Sequence, residues 1–428
     1  MYNWPPNYGN PEWFVQDRFG LFIHWGLYSL AARHEWVMSR EKISPEAYMK
    51  YFYHFNPDLF DPKLWAKTAK EAGMKYMVVT TKHHEGFALW DSKVTDYKVT
   101  NTPYGQDVIR VLVDAFREQG LKIGFYHSLI DWHHPDFPVD GFHPLREDES
   151  RSDQSTNRRI EHYAQFLKAQ VKELLSNYGK IDYMWFDFSY PDRNWGWSKG
   201  KGREDWQSEE LEKMVLELQP DIILNDRLDL HRGVVTPEQV QPQGTVVRDG
   251  QPVIWEACQT LNGSWGYDRD NLDWKSPELV VKMLVDTVSK GGNLLLNVGP
   301  NGRGEFDETS VEILRSIGKW MRLHGRSIYG CGKSDFEPPS DCRYTQAGKR
   351  LYLHIFSWPY RHIYLKGLAG KVTYAQFLHD ASEVKILDMD ASSPHSHTSP
   401  EYVPDSLALE IPVRKPNVLV PVVELFLR

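Results

Sequence analysis

The feature that most constrains this chain is an alternation. Through its first three-quarters, apolar runs at residues 19–25, 75–81, 122–128, 181–188, 221–226, 253–258 and 293–298 are separated by helix-period stretches. The clearest of those stretches are 62–72, 106–119, 157–178, 209–218, 276–289 and 308–324. The runs are nearly continuous in hydrophobic residues, which suits strands of a parallel sheet covered on both faces. Repeated strand–helix units predict an α/β fold. Two closures compete, an open doubly wound sheet and an eight-stranded barrel. No glycine-rich dinucleotide fingerprint follows the first run, which disfavours the open sheet. Seven strands are visible, and the eighth is left to a short or irregular segment. The predicted architecture is a (β/α)8 barrel.

After about residue 335 the texture changes. Short strand-like runs at 350–356, 361–366, 384–387, 408–412 and 419–427 carry turn signals between them and no helix-period segment. They predict a small β-sandwich. The expected domains are a barrel over 1–335 and a sandwich over 336–428, with 392–400 as a polar loop.

Composition excludes several classes. Lys and Arg number 50 against 58 Asp and Glu, a net charge of −8, which argues against a nucleic-acid partner. Three cysteines form neither a disulfide framework nor a zinc-ligand spacing. The first residues lack the pattern of a signal peptide, and no apolar run is long enough to span a membrane, so a cytoplasmic location is expected. The 16 Trp, 22 Tyr and 19 Phe can fill a core, but such rings also stack on sugars.

The strand ends carry chemistry. The first run ends His24-Trp25-Gly26, the second leads to His83-His84-Glu85, and the third ends Tyr126-His127-Ser128. Trp185-Phe186-Asp187, Asn225-Asp226-Arg227 and Trp255-Glu256 follow in turn. In a barrel these ends converge on the face where barrel enzymes keep their active sites. Asp187 stands out because a carboxylate ending a buried strand is costly unless paired or used. A loop-capping role is an even alternative. Trp185 shares its face of the strand, so a flat apolar wall lies beside the carboxylate. Arg227 can orient that carboxylate, bind a hydroxyl or form a structural ion pair. Two carboxylates, Glu238 and Glu256, compete as proton donor, and composition alone makes Glu238 a solvated loop residue. The pairs His83-His84 and His133-His134 are poor ligand sets for one metal, since adjacent extended residues point opposite ways. A metal hydrolase built on those four histidines stays open as an alternative.

The motifs taken together resemble the α-L-fucosidases of glycoside hydrolase family 29. The resemblance covers roughly residues 10–335 and rests on the strand-end motifs above, Phe19-Gly20-Leu21-Phe22-Ile23-His24, Glu35-Trp36, Ser264-Trp265-Gly266-Tyr267 and the segment from Gly291 to Pro300. It implies a distorted (β/α)8 barrel with a C-terminal β-sandwich and retaining hydrolysis of fucosylated oligosaccharides or glycosides without a metal or other cofactor. By motif, Asp187 matches the nucleophile. His24, Glu35, Trp36, His83, His84, Tyr126, Trp185 and Arg227 match sugar-contacting positions, and Trp265 matches a ring on the sugar's methyl side. Glu238 matches the acid/base. Glu256 is the runner-up, assigned with the substrate-binding set, and Glu35 is third. The sequence departs from the family pattern at Phe188, where glycine is usual, at His127, and at Val37. Two further readings are a retaining glycosidase for a sugar of related hydroxyl configuration and a non-catalytic fucose-binding protein.

Overall fold

A computed structural model describes residues 2–387, 389 and 401–428. The loop expected at 392–400 lies outside the described residues. Seven parallel strands build the first sheet: β1 Phe19–Ile23, β2 Tyr76–Lys82, β3 Lys122–Ser128, β4 Tyr183–Asp187, β5 Ile223–Leu224, β6 Glu256–Thr260 and β7 Asn293–Val298. Their order is β5-β4-β3-β2-β1-β7-β6, so the sheet curls with a gap between β5 and β6. The segment Val234–Glu238 fills that gap. It bridges in parallel to Asn225 on one side and to Trp255 and Cys258 on the other. The Val234 amide donates to Leu224 O at 2.9 Å, and the Cys258 amide donates to Pro237 O at 3.0 Å. This irregular segment is the eighth strand.

Helices α1 Pro62–Glu71, α2 Val108–Glu118, α3 Ile160–Asn177, α4 Ser208–Leu218, α5 Pro277–Ser289 and α6 Glu308–His324 cover the sheet. Several starts are written locally. Asp61, Asp107, Ser276 and Asp307 each cap a helix by accepting a backbone N–H in its first turn, and Pro62 and Pro277 occupy the first helical position. The strands alternate between two cores. Phe22, Tyr76, Tyr126, Tyr183 and Trp185 pack inside the barrel, with Phe14 closing its lower end. Leu21, Met77, Phe125, Met184 and Phe186 pack outward against the helices.

The C-terminal region is two antiparallel sheets. Strands β8 Cys342–Ala347, β9 Arg350–Ile355, β11 Val372–Phe377 and β14 Val422–Leu427 form one in the order β8-β9-β14-β11. Strands β10 His362–Lys366, β12 Lys385–Leu387 and β13 Ser406–Glu410 form the other in the order β10-β13-β12. Leu351, Leu353 and Val423 from the first meet Ile363, Leu365 and Leu409 from the second in one core, which makes a sandwich. It leans on α6, whose Trp320 indole donates to Val420 O at 2.8 Å. Strands β8 and β11 have no counterpart among the sequence-predicted runs.

Candidate active site

The C-terminal ends of the barrel strands converge on a small pocket. It is lined by Phe22, His24, Trp36, His83, His84, Tyr126, Trp185, Asp187, Phe188, Glu238, Cys258 and Trp265. Eight strand ends can place so many side chains around one small volume because every strand points the same way.

Asp187 ends β4, on the inner face beside Trp185. Its Oδ2 accepts from the Tyr126 hydroxyl at 2.7 Å, and its Oδ1 accepts from Arg227 Nη1 at 2.9 Å. Arg227 Nη2 donates to Glu238 Oε2 at 3.0 Å and to Thr236 O at 3.1 Å, and its Nε donates to Thr236 Oγ1 at 2.9 Å. One guanidinium therefore holds both carboxylates, with its face 4.8 Å from the Trp185 ring centroid. Burial pushes the Asp187 carboxyl up to about 6, against the pull of Arg227 and with a smaller push from Glu238. At neutral pH it stays mostly ionised. Glu238 is the more open of the two, its side chain 43% exposed against 13% for Asp187.

The histidines are neutral. Burial drives His24 down to about 3 and holds His83 and His84 well below the ordinary histidine range. Their tautomers follow from their partners. Asn297 Nδ2 donates to Trp265 O at 2.7 Å, which turns Asn297 Oδ1 toward His24 Nδ1 at 2.7 Å. His24 must carry its proton on Nδ1, and its Nε2 is left as an acceptor. The Ser128 hydroxyl donates to Ile130 O at 2.8 Å and accepts from His84 Nδ1 at 2.7 Å. His84 Nε2 is then also an acceptor, 3.9 Å from Asp187 Oδ2. His83 stacks on Tyr126 with ring centroids 5.5 Å apart. Such acceptors, backed by rings, can receive hydroxyl donors beside a flat apolar surface.

Of the residues singled out from sequence, Asp187, Glu238, His24, Trp36, His83, His84, Tyr126, Trp185 and Trp265 line the pocket, and Arg227 joins the two carboxylates. Glu35 is buried and is not among the residues lining the pocket. Its Oε2 accepts from the Gly266 amide at 2.8 Å, tying the loop that carries Trp36 to the loop that carries Trp265. Burial raises it to about 7. Glu256 requires a correction. It is the first residue of β6, level with Asn293, and so belongs to the lower layer of the barrel. Tyr76 and Tyr183, also at the lower ends of their strands, donate to it, the second at 3.2 Å. Glu256 does not line the pocket but lies beneath it, against Tyr76, Tyr183 and Trp185, a place that fits neither direct contact with a sugar nor the acid/base role. His133 stacks on Tyr97 with centroids 3.8 Å apart, and His134 packs on Phe166 at 4.3 Å, away from the pocket. Among the described residues no three His, Cys, Asp or Glu side chains form a metal-holding group. Asn297 was missed as a site residue. Its signal was a polar side chain inside the apolar run Leu294-Leu295-Leu296-Asn297-Val298.

A family model described as alpha-L-fucosidase matches residues 4–326. The chain belongs to the α-L-fucosidase family. It is 32% identical to the human plasma alpha-L-fucosidase over 383 residues, covering 82% of this chain and 76% of that protein. The structure of alpha-L-fucosidase isoenzyme 1 from Paenibacillus thiaminolyticus superposes with a TM-score of 0.90 at 47% identity, covering 98% of each chain. A Bacteroides thetaiotaomicron α-L-fucosidase of family 29, trapped as a covalent intermediate with 2-fluoro-fucosyl fluoride, superposes with a TM-score of 0.82 at 30% identity, covering 97% of this chain and 95% of that one. α-L-Fucosidases are glycoside hydrolases, and this fold is their barrel with its C-terminal β domain. Among the described residues no helix is long and apolar enough to cross a membrane.

Proposed function

We propose that this α-L-fucosidase cleaves terminal α-L-fucosyl linkages by double displacement, with Asp187 as nucleophile and Glu238 as acid/base. The observation that carries this reading is the single guanidinium of Arg227 shared between the two carboxylates, 2.9 Å from one and 3.0 Å from the other. Carboxylates bonded to adjacent nitrogens of one group are close neighbours, and retaining hydrolysis needs a separation of ~5–5.5 Å. Asp187 attacks the anomeric carbon and forms a glycosyl ester as the glycosidic bond breaks. Glu238 gives its proton to the leaving oxygen, then takes one from the water that cleaves the ester. Arg227 keeps Asp187 ionised despite its burial. The neutral His24 and His84 accept from sugar hydroxyls, and Trp265 packs on the methyl group where other sugars carry a polar hydroxymethyl.

Natural substrates on this reading are fucosylated oligosaccharides or glycoconjugates, and the enzyme belongs to fucose breakdown. The three cysteines, all free and buried, support a cytoplasmic location, which cell fractionation tests. The reaction is tested with a panel of aryl glycosides followed by NMR. Turnover of the aryl α-L-fucoside with α-L-fucose as first product supports it. β-L-fucose as first product, or faster turnover of the β-galactoside, refutes it.

A further inference from the structure

Phe188 follows Asp187 and has φ 83°. A bulky side chain takes that left-handed conformation only where its surroundings impose it. The surroundings are aromatic. The Phe188 ring centroid lies 5.0 Å from His84, 5.1 Å from Trp36, 5.2 Å from Phe142 and 5.3 Å from Tyr190. Trp195 braces Phe142 from behind at 5.2 Å. Among the described residues, Phe188 is the only non-glycine of positive φ that lines the pocket. Glycine would make this turn without strain, so the ring contributes something other than the turn.

Its place in the barrel indicates what. Glu238 sits on the segment between β5 and β6, whereas Phe188 packs on side chains from the loops after β1, β2, β3 and β4. The ring thus packs on the β1 to β4 side of the mouth, whereas the proton donor stands between β5 and β6. Trp265 makes up a third side, next to His24 with centroids 5.1 Å apart. The next step rests on the hydrolysis proposed above. With the anomeric carbon at Asp187, the leaving oxygen toward Glu238 and the methyl-bearing C5 toward Trp265, the edge of the pyranose across the ring from C5 and the ring oxygen is C2 and C3. That edge faces His84, Trp36 and Phe188. A hydroxyl there meets the His84 Nε2 acceptor, and anything larger meets the Phe188 ring.

We propose that Phe188 is the residue that selects a glycone with free hydroxyls at C2 and C3, closing the pocket against ring substituents on that edge while the leaving-group side stays open. The selection works by steric exclusion. Sugars methylated, acylated or sulfated on that edge are shut out.

The test compares kcat/KM for an aryl α-L-fucoside and its 3-O-methyl counterpart in the wild type, Phe188→Gly and Phe188→Leu. The wild type should prefer the unsubstituted sugar by about 100-fold or more, and Phe188→Gly should narrow that ratio at least ~10-fold, with Phe188→Leu between them. Thermal unfolding identifies the folded variants, and either one decides the outcome. A ratio unchanged in a folded variant overturns the proposal. So does a variant that alters the ranking of two leaving groups while leaving the methyl ratio in place. If the wild type does not cleave the parent fucoside, the hydrolysis reading has failed. Calorimetric binding of L-fucose and 3-O-methyl-L-fucose to the same proteins then tests Phe188 separately, with the same ordering expected.

Discussion

Replacing Arg227 by Gln should convert an enzyme active at neutral pH into one that needs alkali. Its guanidinium is 2.9 Å from Asp187 Oδ1, which puts the charge centres roughly 4 Å apart, and such a pair is worth about 4 kcal/mol at an effective dielectric near 20. At 1.36 kcal/mol per tenfold, that is a factor of ~10³ in the ionisation of the carboxyl. Asp187 already stands at about 6 with Arg227 in place, so without it the carboxyl should titrate near ~9. At pH 7 the ionised fraction then falls from roughly 0.9 to about 0.01, an expected loss of ~10²-fold from this cause alone. The assay is kcat/KM against pH on a dinitrophenyl α-L-fucoside, whose leaving group departs without a proton and so isolates the nucleophile. The acid limb should sit near 6 in the wild type and in Arg227→Lys, and should move toward ~9 in Arg227→Gln, with activity recovering as pH rises. A limb that stays near 6 above a uniform, pH-independent loss would refute the electrostatic role and leave Arg227 a purely geometric clamp.

Asp187→Ala should lose about 10³-fold or more in turnover of any aryl fucoside. Glu238→Ala should be rescued by azide on an activated aryl fucoside, giving a fucosyl azide, whereas Glu256→Ala should show no rescue; the opposite pattern would reverse their roles. Trp265→Ala should erode the preference for a methyl over a hydroxymethyl at C5 by about 10–200-fold, measured as the ratio of kcat/KM on the fucoside and the matching galactoside. Glu256 gives a stability test. Burial raises it to about 8 in the folded chain, so between about pH 4.5 and 8 the native state holds a proton that the unfolded state lacks. Its contribution is full below that window and is lost as pH rises through it. Chemical denaturation should therefore show Glu256→Gln gaining on the wild type between pH 5 and 9, and a gap constant across that range would contradict the assignment.

Most barrel elements were legible because each is written locally. An apolar run bounded by a cap such as Asp61-Pro62 or Ser276-Pro277 needs no distant contact to be read. Asp187 was legible because it ends its run, and alternation placed Trp185 beside it. Glu256 was misread through register. The run at 253–258 puts Glu256 near its C-terminal end, but the strand is Glu256–Thr260, which makes the same residue the first of its strand. A shift of a few residues in where pairing begins moves a carboxylate from the mouth of a barrel to its floor. That pairing is set by Asn293 on the neighbouring strand, which no local pattern reports. Strands β8 and β11 were hidden for a related reason. Cys342-Arg343-Tyr344-Thr345-Gln346-Ala347 and Val372-Thr373-Tyr374-Ala375-Gln376-Phe377 are mixed polar and apolar, and pairing with β9 and β14 makes them strands.

The eighth strand shows why irregularity and chemistry coincide here. Val234-Val235-Thr236-Pro237-Glu238 does not read as a strand because Pro237 has no N–H to give a ladder. The barrel accepts it because the adjacent position asks only for an acceptor, and Pro237 O receives the Cys258 amide. Extended backbone then puts Thr236 and Glu238 on one face, two residues apart. Arg227 is reached from that face at three acceptors, Thr236 Oγ1, Thr236 O and Glu238 Oε2. With Nε and Nη2 both committed there, Nη1 is left to meet Asp187 across the gap. A regular strand followed by a helix would have continued the ladder past this point. The segment instead ends its pairing at Gln239 and Cys258, and so leaves the Glu238 carboxyl partly open to solvent at the pocket's edge. A proton donor that must exchange with water between the two displacements needs that access, while a nucleophile buried behind Tyr126 and Arg227 does not. The same break in regularity that hid the strand from the sequence sets the two carboxylates apart in exposure, the difference on which their proposed division of labour rests.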